Sequence, residues 1–241
     1  MIVTGGSRGI GAAAVEMLAA EGRPVVFSYA SNEAAARRLC ERVAAAGGRA
    51  VAYKGDVAAE EAIEALFATC AGRFGPPTGV FANAGITGTA CRVAELDAAN
   101  LRRVLDVNVT GAFLTAKTAV RVMSAAGGGA IVLMSSRAAK LGGAGDWVHY
   151  AASKAAIDTL CVGLAAEVGA QGIRVNAVAP GLIDTEIHVN AGRGERVKTV
   201  GVTVPLGRAG RPEEVASAVR WLLSSDSAYV SGTVVGVGGG R

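Results

Sequence analysis

The chain has 241 residues, 51% of them hydrophobic and 34 of them glycine, which excludes disorder and leaves ample apolar surface for a core. Its formal net charge of +4 comes from dispersed lysines and arginines, with no basic block interleaved with aromatics, so no nucleic-acid partner is expected. No run approaches the about 18 apolar residues of a membrane span, the first residues do not read as a signal peptide, and two histidines exclude a His-rich metal site.

In chain order, Ile2-Val3 is the end of a buried strand. Thr4-Gly5-Gly6-Ser7-Arg8-Gly9-Ile10-Gly11 follows, and then the helical stretch Ala12 to Ala20. Strand, glycine turn and helix together give a glycine motif its meaning. Gly5 permits a tight turn, Gly9 a close backbone approach to a pyrophosphate, and Gly11 close packing of helix on sheet. The helix N-terminus then presents free N–H groups and a positive dipole end to phosphate. A plain Gly-rich turn between strand and helix is the other reading.

The pattern then alternates. Strands are expected at Pro24 to Tyr29, Arg49 to Lys54, Gly79 to Ala82, Ala130 to Ser135, Ile173 to Val178 and Val234 to Val237. Helices are expected at Asn32 to Ala46, Ala58 to Arg73, Asp97 to Met123, Tyr150 to Gly169 and Pro212 to Leu223. Short buried strands alternating with helices predict an α/β fold: a doubly wound, Rossmann-type parallel sheet of about seven strands with helices on both faces. No linker or repeat divides residues 1–241, so one domain is expected. Two long segments follow strand ends, Arg137 to His149 and Gly181 to Gly210, and the second is expected to form a substrate loop over about 182–210. Ligands in such sheets bind outside the carboxyl ends of the strands, where both segments lie.

Tyr150-Ala151-Ala152-Ser153-Lys154 opens the helix after the first of these segments. Residues four apart share a helix face, so Tyr150 and Lys154 stand side by side. A fixed positive charge favours the phenolate, and the pair is expected to bring the phenol toward working pH for carbonyl–alcohol chemistry. By itself this spacing is also found on surface helices that do no chemistry.

The pieces coincide in order and spacing: the glycine motif, Asp56-Val57, Asn83-Ala84-Gly85, Asn108, Ser135-Ser136, Tyr150-x-x-x-Lys154, and Pro180-Gly181 with Thr185. From end to end the chain resembles the short-chain dehydrogenase/reductase family. Within the family it is similar to bacterial sugar-type and uncharacterised oxidoreductases. The resemblance implies a Ser136, Tyr150, Lys154 and Asn108 catalytic set. Ser136 would donate to the substrate oxygen, with Ser135 as the neighbouring alternative, since strand alternation leaves only one of them facing the site. Tyr150 would pass the proton. Lys154 would hold the nicotinamide ribose and lower the Tyr150 pKa. The Asn108 side chain would interrupt its helix and hold a water linking Lys154 to solvent. Asp56 would accept from the adenine amino group, Val57 would pack on the ring, and Asn83-Ala84-Gly85 would line the adenosine ribose. Cofactor contacts are expected from Gly5, Ser7, Arg8, Gly9, Ile10, Gly11, Tyr29, Ser31, Asp56, Val57, Asn83, Ala84, Gly85, Tyr150, Lys154, Pro180, Gly181, Ile183 and Thr185. The reaction implied is hydride transfer between NAD(P)(H) and a carbonyl or secondary alcohol. A dinucleotide-sensing regulator on the same fold is the alternative.

NADP(H) is expected over NAD(H), which remains possible. The second strand ends Tyr29-Ala30-Ser31-Asn32, with no acid to accept from a ribose 2′-OH or to repel a 2′-phosphate. Arg8 can pair with phosphate oxygens in a fork, and Ser7 and Ser31 add hydroxyls. The family also implies a homo-oligomer, tetramer or dimer, pairing the helices at Asp97–Met123 and Tyr150–Gly169. Departures from its pattern are a short first strand, Ala82 where Asn is frequent, a longer segment before Tyr150, and Val237-Gly238-Gly239-Gly240 in place of Val-Asp-Gly-Gly near subunit contacts. Among other residues, Trp147 is a candidate pocket wall, His149 a half-exposed helix-start residue, His188 a solvated lid residue and Trp221 a core residue. Cys40, Cys70, Cys91 and Cys161 lack metal or disulfide spacing and suit small thiols in a reducing cytoplasm.

Overall fold

A computed structural model describes residues 1–185 and 201–241. His188 and most of the expected substrate loop lie outside the described residues. Seven parallel strands form one sheet in the order β3-β2-β1-β4-β5-β6-β7. They are β1 (Ile2–Val3), β2 (Val25–Tyr29), β3 (Ala50–Lys54), β4 (Gly79–Ala82), β5 (Gly129–Met134), β6 (Ile173–Pro180) and β7 (Val234–Val237). Among the described residues the α-helices are α1 (Gly9–Ala20), α2 (Glu33–Ala45), α3 (Glu60–Phe74), α4 (Ala98–Leu105), α5 (Gly111–Ala125), α6 (Ala138–Leu141), α7 (Val148–Val168) and α8 (Pro212–Leu222).

Val-Val-Phe-Ser-Tyr of β2 is buried along its whole length, as expected of a strand covered on both faces. One face carries Val15 and Leu18 of α1, Leu39 and Val43 of α2, and Val215 and Val219 of α8. The other carries Ile63 and Leu66 of α3, Ala119 and Met123 of α5, and Ile157 and Cys161 of α7. Ala82 packs within this second core.

The two-residue β1 is central and paired on both sides, Ile2 with Val26 and with Val80. Backbone bonds extend its ladder in both directions, from Val26 N to Met1 O at 2.9 Å and from Thr4 N to Phe81 O at 3.0 Å. A short strand therefore suffices here. The chain leaves β1 for β2 and β3 on one side, then crosses to β4 on the other, which places a crevice at the carboxyl ends of β1 and β4.

Two expectations are corrected and one is met in a definite form. The expected interruption of the helix Asp97–Met123 at Asn108 is a π-helical turn over Asp106–Thr110, which separates α4 from α5. Asn108 sits inside that turn, fully buried, and its side chain bonds the backbone of Ile86. Such turns mark places where a helix gives up regular bonding to aim a side chain. The segment Arg137–His149 is not all loop. It holds α6, which ends at Gly142 in the left-handed region (φ 78°), and α7 begins at Val148. Trp221 is 38% exposed and is not a core residue, because the buried face of α8 is made by Val215, Ala216, Val219 and Leu222.

Candidate active site

A cleft of about 460 Å³ runs along the carboxyl ends of the strands, from the β2 end to Trp147. Its lining includes Gly5, Ser7, Arg8, Gly9, Ile10, Gly11, Tyr29, Ser31, Asp56, Val57, Asn83, Ala84, Gly85, Ser136, Tyr150, Lys154, Pro180, Gly181, Ile183 and Thr185. The fold thus brings together residues spread over almost the whole sequence.

The glycine turn forms the cleft floor. Gly5 and Gly9 have positive φ, 62° and 53°. A Cβ on Gly11 would lie 2.5 Å from Gly5 O and 2.7 Å from Asn83 Nδ2, so only glycine admits this close crossing. Ser28 Oγ accepts from Gly5 N at 3.1 Å, and Thr4 Oγ1 accepts from the backbone N–H of Asn83 and of Ala84, both at 3.0 Å. Among the described residues no side chain caps α1, and its first turn opens on the cleft. Free first-turn amides on a glycine cradle suit a pyrophosphate.

Asn83 lines the cleft, but its amide is spent on structure, donating to Thr4 O at 2.9 Å and Gly5 O at 3.0 Å. These contacts tie the end of β4 to the glycine turn. At the far end, Asp56 accepts from Ala58 N at 3.1 Å and pairs with Arg103 at 2.9 Å. Partial burial pushes the Asp56 carboxyl up, yet the Ala58 N–H and the Arg103 guanidinium together hold it below the ordinary value. Arg103 also lines the cleft, although nothing in the sequence singles it out. It sits on α4, and only the packing of α4 beside the loop after β3 reveals it.

At the other end, β5 runs into the cleft beside α7. Contrary to the expectation from strand alternation, both serines line the cleft, just past the end of β5. Their hydroxyl partners tell them apart: Ser135 donates to Asp158, and Ser136 hydrogen-bonds the Tyr150 hydroxyl. Lys154 Nζ donates to Met134 O at 2.7 Å and lies 5.8 Å from the centre of the Tyr150 ring. Trp147, buried, closes this end as the expected wall.

The electrostatics correct one expectation. Burial pushes the Tyr150 phenol up, opposed by the Ser136 hydrogen bond, so the phenol is raised and not lowered. Desolvation of the phenolate is the dominant influence. Lys154 is itself buried, which pulls its ammonium down to about 8 against the attraction of Asp158.

Asn108 also differs from expectation. Its Oδ1 accepts from Ile86 N at 2.8 Å, and its Nδ2 donates to Ile86 O at 2.8 Å and to Ser153 Oγ at 2.9 Å. The side chain is a tie between the β4 loop and α7, with both amide hydrogens engaged by protein. His149 is likewise buried and not half exposed. Its Nε2 lies 3.1 Å from Thr87 O, and burial pulls its imidazole down. The C-terminal departure borders the cleft: a Cβ on Gly181 would lie 2.8 Å from Gly238 Cα, and Arg137 Nε donates to Arg241 O at 2.7 Å.

Among the described residues, no group of three His, Cys, Asp or Glu is placed to hold a metal, and no helix is long and apolar enough to cross a membrane. All four thiols are free, with Cys70 and Cys161 buried.

A doubly wound parallel sheet with a glycine cradle at its crevice and a serine, tyrosine and lysine beyond it defines a dinucleotide-type oxidoreductase architecture. Residues 5–241 match the family described as Enoyl-(Acyl carrier protein) reductase. The chain is 45% identical to the uncharacterized oxidoreductase YgfF of Escherichia coli (strain K12), over 100% of this chain and 98% of that protein. It is 41% identical to the cis-4-hydroxycyclohexanecarboxylate dehydrogenase of Sinomonas cyclohexanicum, over 99% of this chain and 94% of that one. A crystal structure of a short-chain type dehydrogenase/reductase from Mycobacterium marinum superposes with a TM-score of 0.93 at 32% identity, covering 99% of this chain and 93% of that one. The chain belongs to the short-chain dehydrogenase/reductase family. It is an oxidoreductase of alcohol and carbonyl groups, and its family uses NAD(P).

Proposed function

We propose that this enzyme interconverts a secondary alcohol and a carbonyl, with Ser136, Tyr150, Lys154 and Asn108 as its working set. The observation that carries this reading is the meeting of the Ser136 and Tyr150 hydroxyls beside the Lys154 ammonium at one end of the cleft. The bound nicotinamide dinucleotide supplies or accepts the hydride. In reduction, Tyr150 gives its proton to the carbonyl oxygen while Ser136 donates to the same oxygen and stabilises its growing charge. Lys154 offsets the phenolate that Tyr150 leaves behind. Asn108 keeps the Ile86 loop and α7 in register.

The dinucleotide would lie with its pyrophosphate on Gly5 to Gly11, its adenine between Asp56-Val57 and Arg103, and a ribose near Lys154. A preference for NADP(H) is supported by the β2 end, Tyr29-Ala30-Ser31-Asn32, which lines the cleft without a carboxylate, and by Arg8 at the mouth. Leu141, Trp147 and Leu182 line the cleft together with Arg137 and Asp146, a wall that suits carbon-rich alcohols and ketones carrying a polar group. The cis-4-hydroxycyclohexanecarboxylate dehydrogenase among its relatives is in keeping with that, and a glucose 1-dehydrogenase relative keeps sugars on the test panel. We further propose one domain over 1–241, a cytoplasmic setting and a homo-oligomer.

The test is NADPH oxidation against a panel of alicyclic ketones, sugars and 3-oxoacyl thioesters, repeated with Tyr150→Phe. Turnover is expected with at least one ketone, and a fall of about two to four powers of ten in the variant. Wild-type turnover in Tyr150→Phe would remove Tyr150 from the chemistry.

A further inference from the structure

The end of β5 meets α7 through three successive residues, and the middle contact has no part in the chemistry above. Met134 O holds Lys154 Nζ, and Ser136 bonds Tyr150. Between them Ser135, 1% exposed, donates from its hydroxyl to Asp158 Oδ1 at 2.5 Å, with Lys154 O at 3.3 Å from the same hydroxyl. Tyr150, Lys154 and Asp158 are spaced four apart and form one stripe along α7. The last residue of β5 and the two that follow it therefore engage three consecutive turns of one helix face.

Lys154 needs such support. It is 3% exposed, and its acceptor Met134 O is neutral. Among the described residues, its neighbours the Tyr150 phenol on its own helix, Ser136 past the β5 end, and Asn108 with Ser153 toward the β4 loop are uncharged at neutral pH. The Cys161 thiol, further along α7, is pushed up to about 12 by burial and by Asp158, so it too stays neutral. Asp158 is the carboxylate whose attraction acts on the Lys154 charge. A buried ammonium without an opposite charge tends to give up its proton.

We propose that Asp158, held by Ser135, is a positioning residue that fixes Lys154 beside Tyr150 and keeps its ammonium charged at working pH. The hydrogen bond sets the register of α7 against β5, and the carboxylate supplies the charge. This rests on the role proposed above for Lys154, but one arm of its test does not depend on activity.

Asp158→Asn keeps an acceptor for Ser135 and removes only the charge. In the cofactor-free protein, NMR titration of the Lys154 side chain should show its midpoint moved to lower pH by about one unit. The alkaline limb of kcat should move the same way, because the ammonium is lost earlier, with KM for the ketone unchanged. Ser135→Ala leaves the carboxylate charged but unheld, and kcat should fall about tenfold or more through misplacement. An unmoved Lys154 titration in Asp158→Asn, or wild-type kcat in Ser135→Ala, overturns the proposal. A loss of thermal stability with both pH profiles in place would mean a purely structural contact and overturns it as well. If no carbonyl is turned over by the wild type, the proposed function fails while the NMR arm still decides the role of Asp158.

Discussion

Lys154 shows how one buried side chain links stability to pH. Burial pulls its ammonium from the ordinary 10.5 down to about 8. Between those values the unfolded chain binds the extra proton, so stability rises with pH across the window, and the penalty is fully present below about 8. Lys154→Met removes this group. Its Tm should therefore rise less from pH 8 to 10.5 than that of the wild type, in melts of the cofactor-free protein. An equally steep rise would mean that the ammonium is solvated. Arg8 is the matching case for specificity. The ratio of kcat/KM with NADPH to that with NADH should exceed one in the wild type and fall about tenfold in Arg8→Ala, the scale of one charge-assisted bond. An unchanged ratio would leave Arg8 only covering the adenine.

Elements hold the site through close crossings that side chains would block. Gly11 of α1 passes over Gly5 O, and Asn83 of the β4 end reaches across to the same turn. Gly11→Ala forces a shift of backbone, and overpacking of this kind costs about 1–3 kcal/mol. The melt should show a lower Tm, and dinucleotide affinity should weaken with it, since the same turn forms the cradle. Gly72 of α3 meets nothing within 4 Å of an added Cβ, so Gly72→Ala should be neutral or stabilising by up to about 1 kcal/mol. Equal effects of the two substitutions would refute the crossing argument. The π-helical turn at Asp106–Thr110 is a second device of this kind, giving up regular helix bonding to bring Asn108 to Ile86 and Ser153.

At the scale of the molecule, one group of exposed apolar side chains lies on helices. Phe113 of α5 is 50% exposed and Val162 of α7 is 57% exposed, with Leu105 of α4 also uncovered. Apolar side chains on the two helices expected to pair suit a symmetric interface with a second copy. Light scattering at micromolar concentration should report a dimer or tetramer, and Phe113→Asp should shift it to a smaller species. A monomeric wild type would refute the assembly.

Strand–helix alternation, the glycine turn and the Tyr150/Lys154 spacing were all legible in the sequence, because each is a local pattern fixed by backbone geometry or helical period. The choice of Ser136 over Ser135 was not legible from strand alternation, since both lie past the end of β5 and line the cleft, and only their partners Tyr150 and Asp158 distinguish them. Other features belong to the tertiary structure alone. Arg103 on Asp56, Thr4 under Asn83, and Ser135 with Asp158 join residues from 23 to 79 positions apart, or from α4 to the β3 loop, and no local period marks such pairs. The raised Tyr150 phenol, the buried His149 and the exposed Trp221 differ from expectation for the same reason. Desolvation depends on what the rest of the chain stacks around a group, and that is decided only when the sheet, its two helical layers and the loops at the strand ends come together.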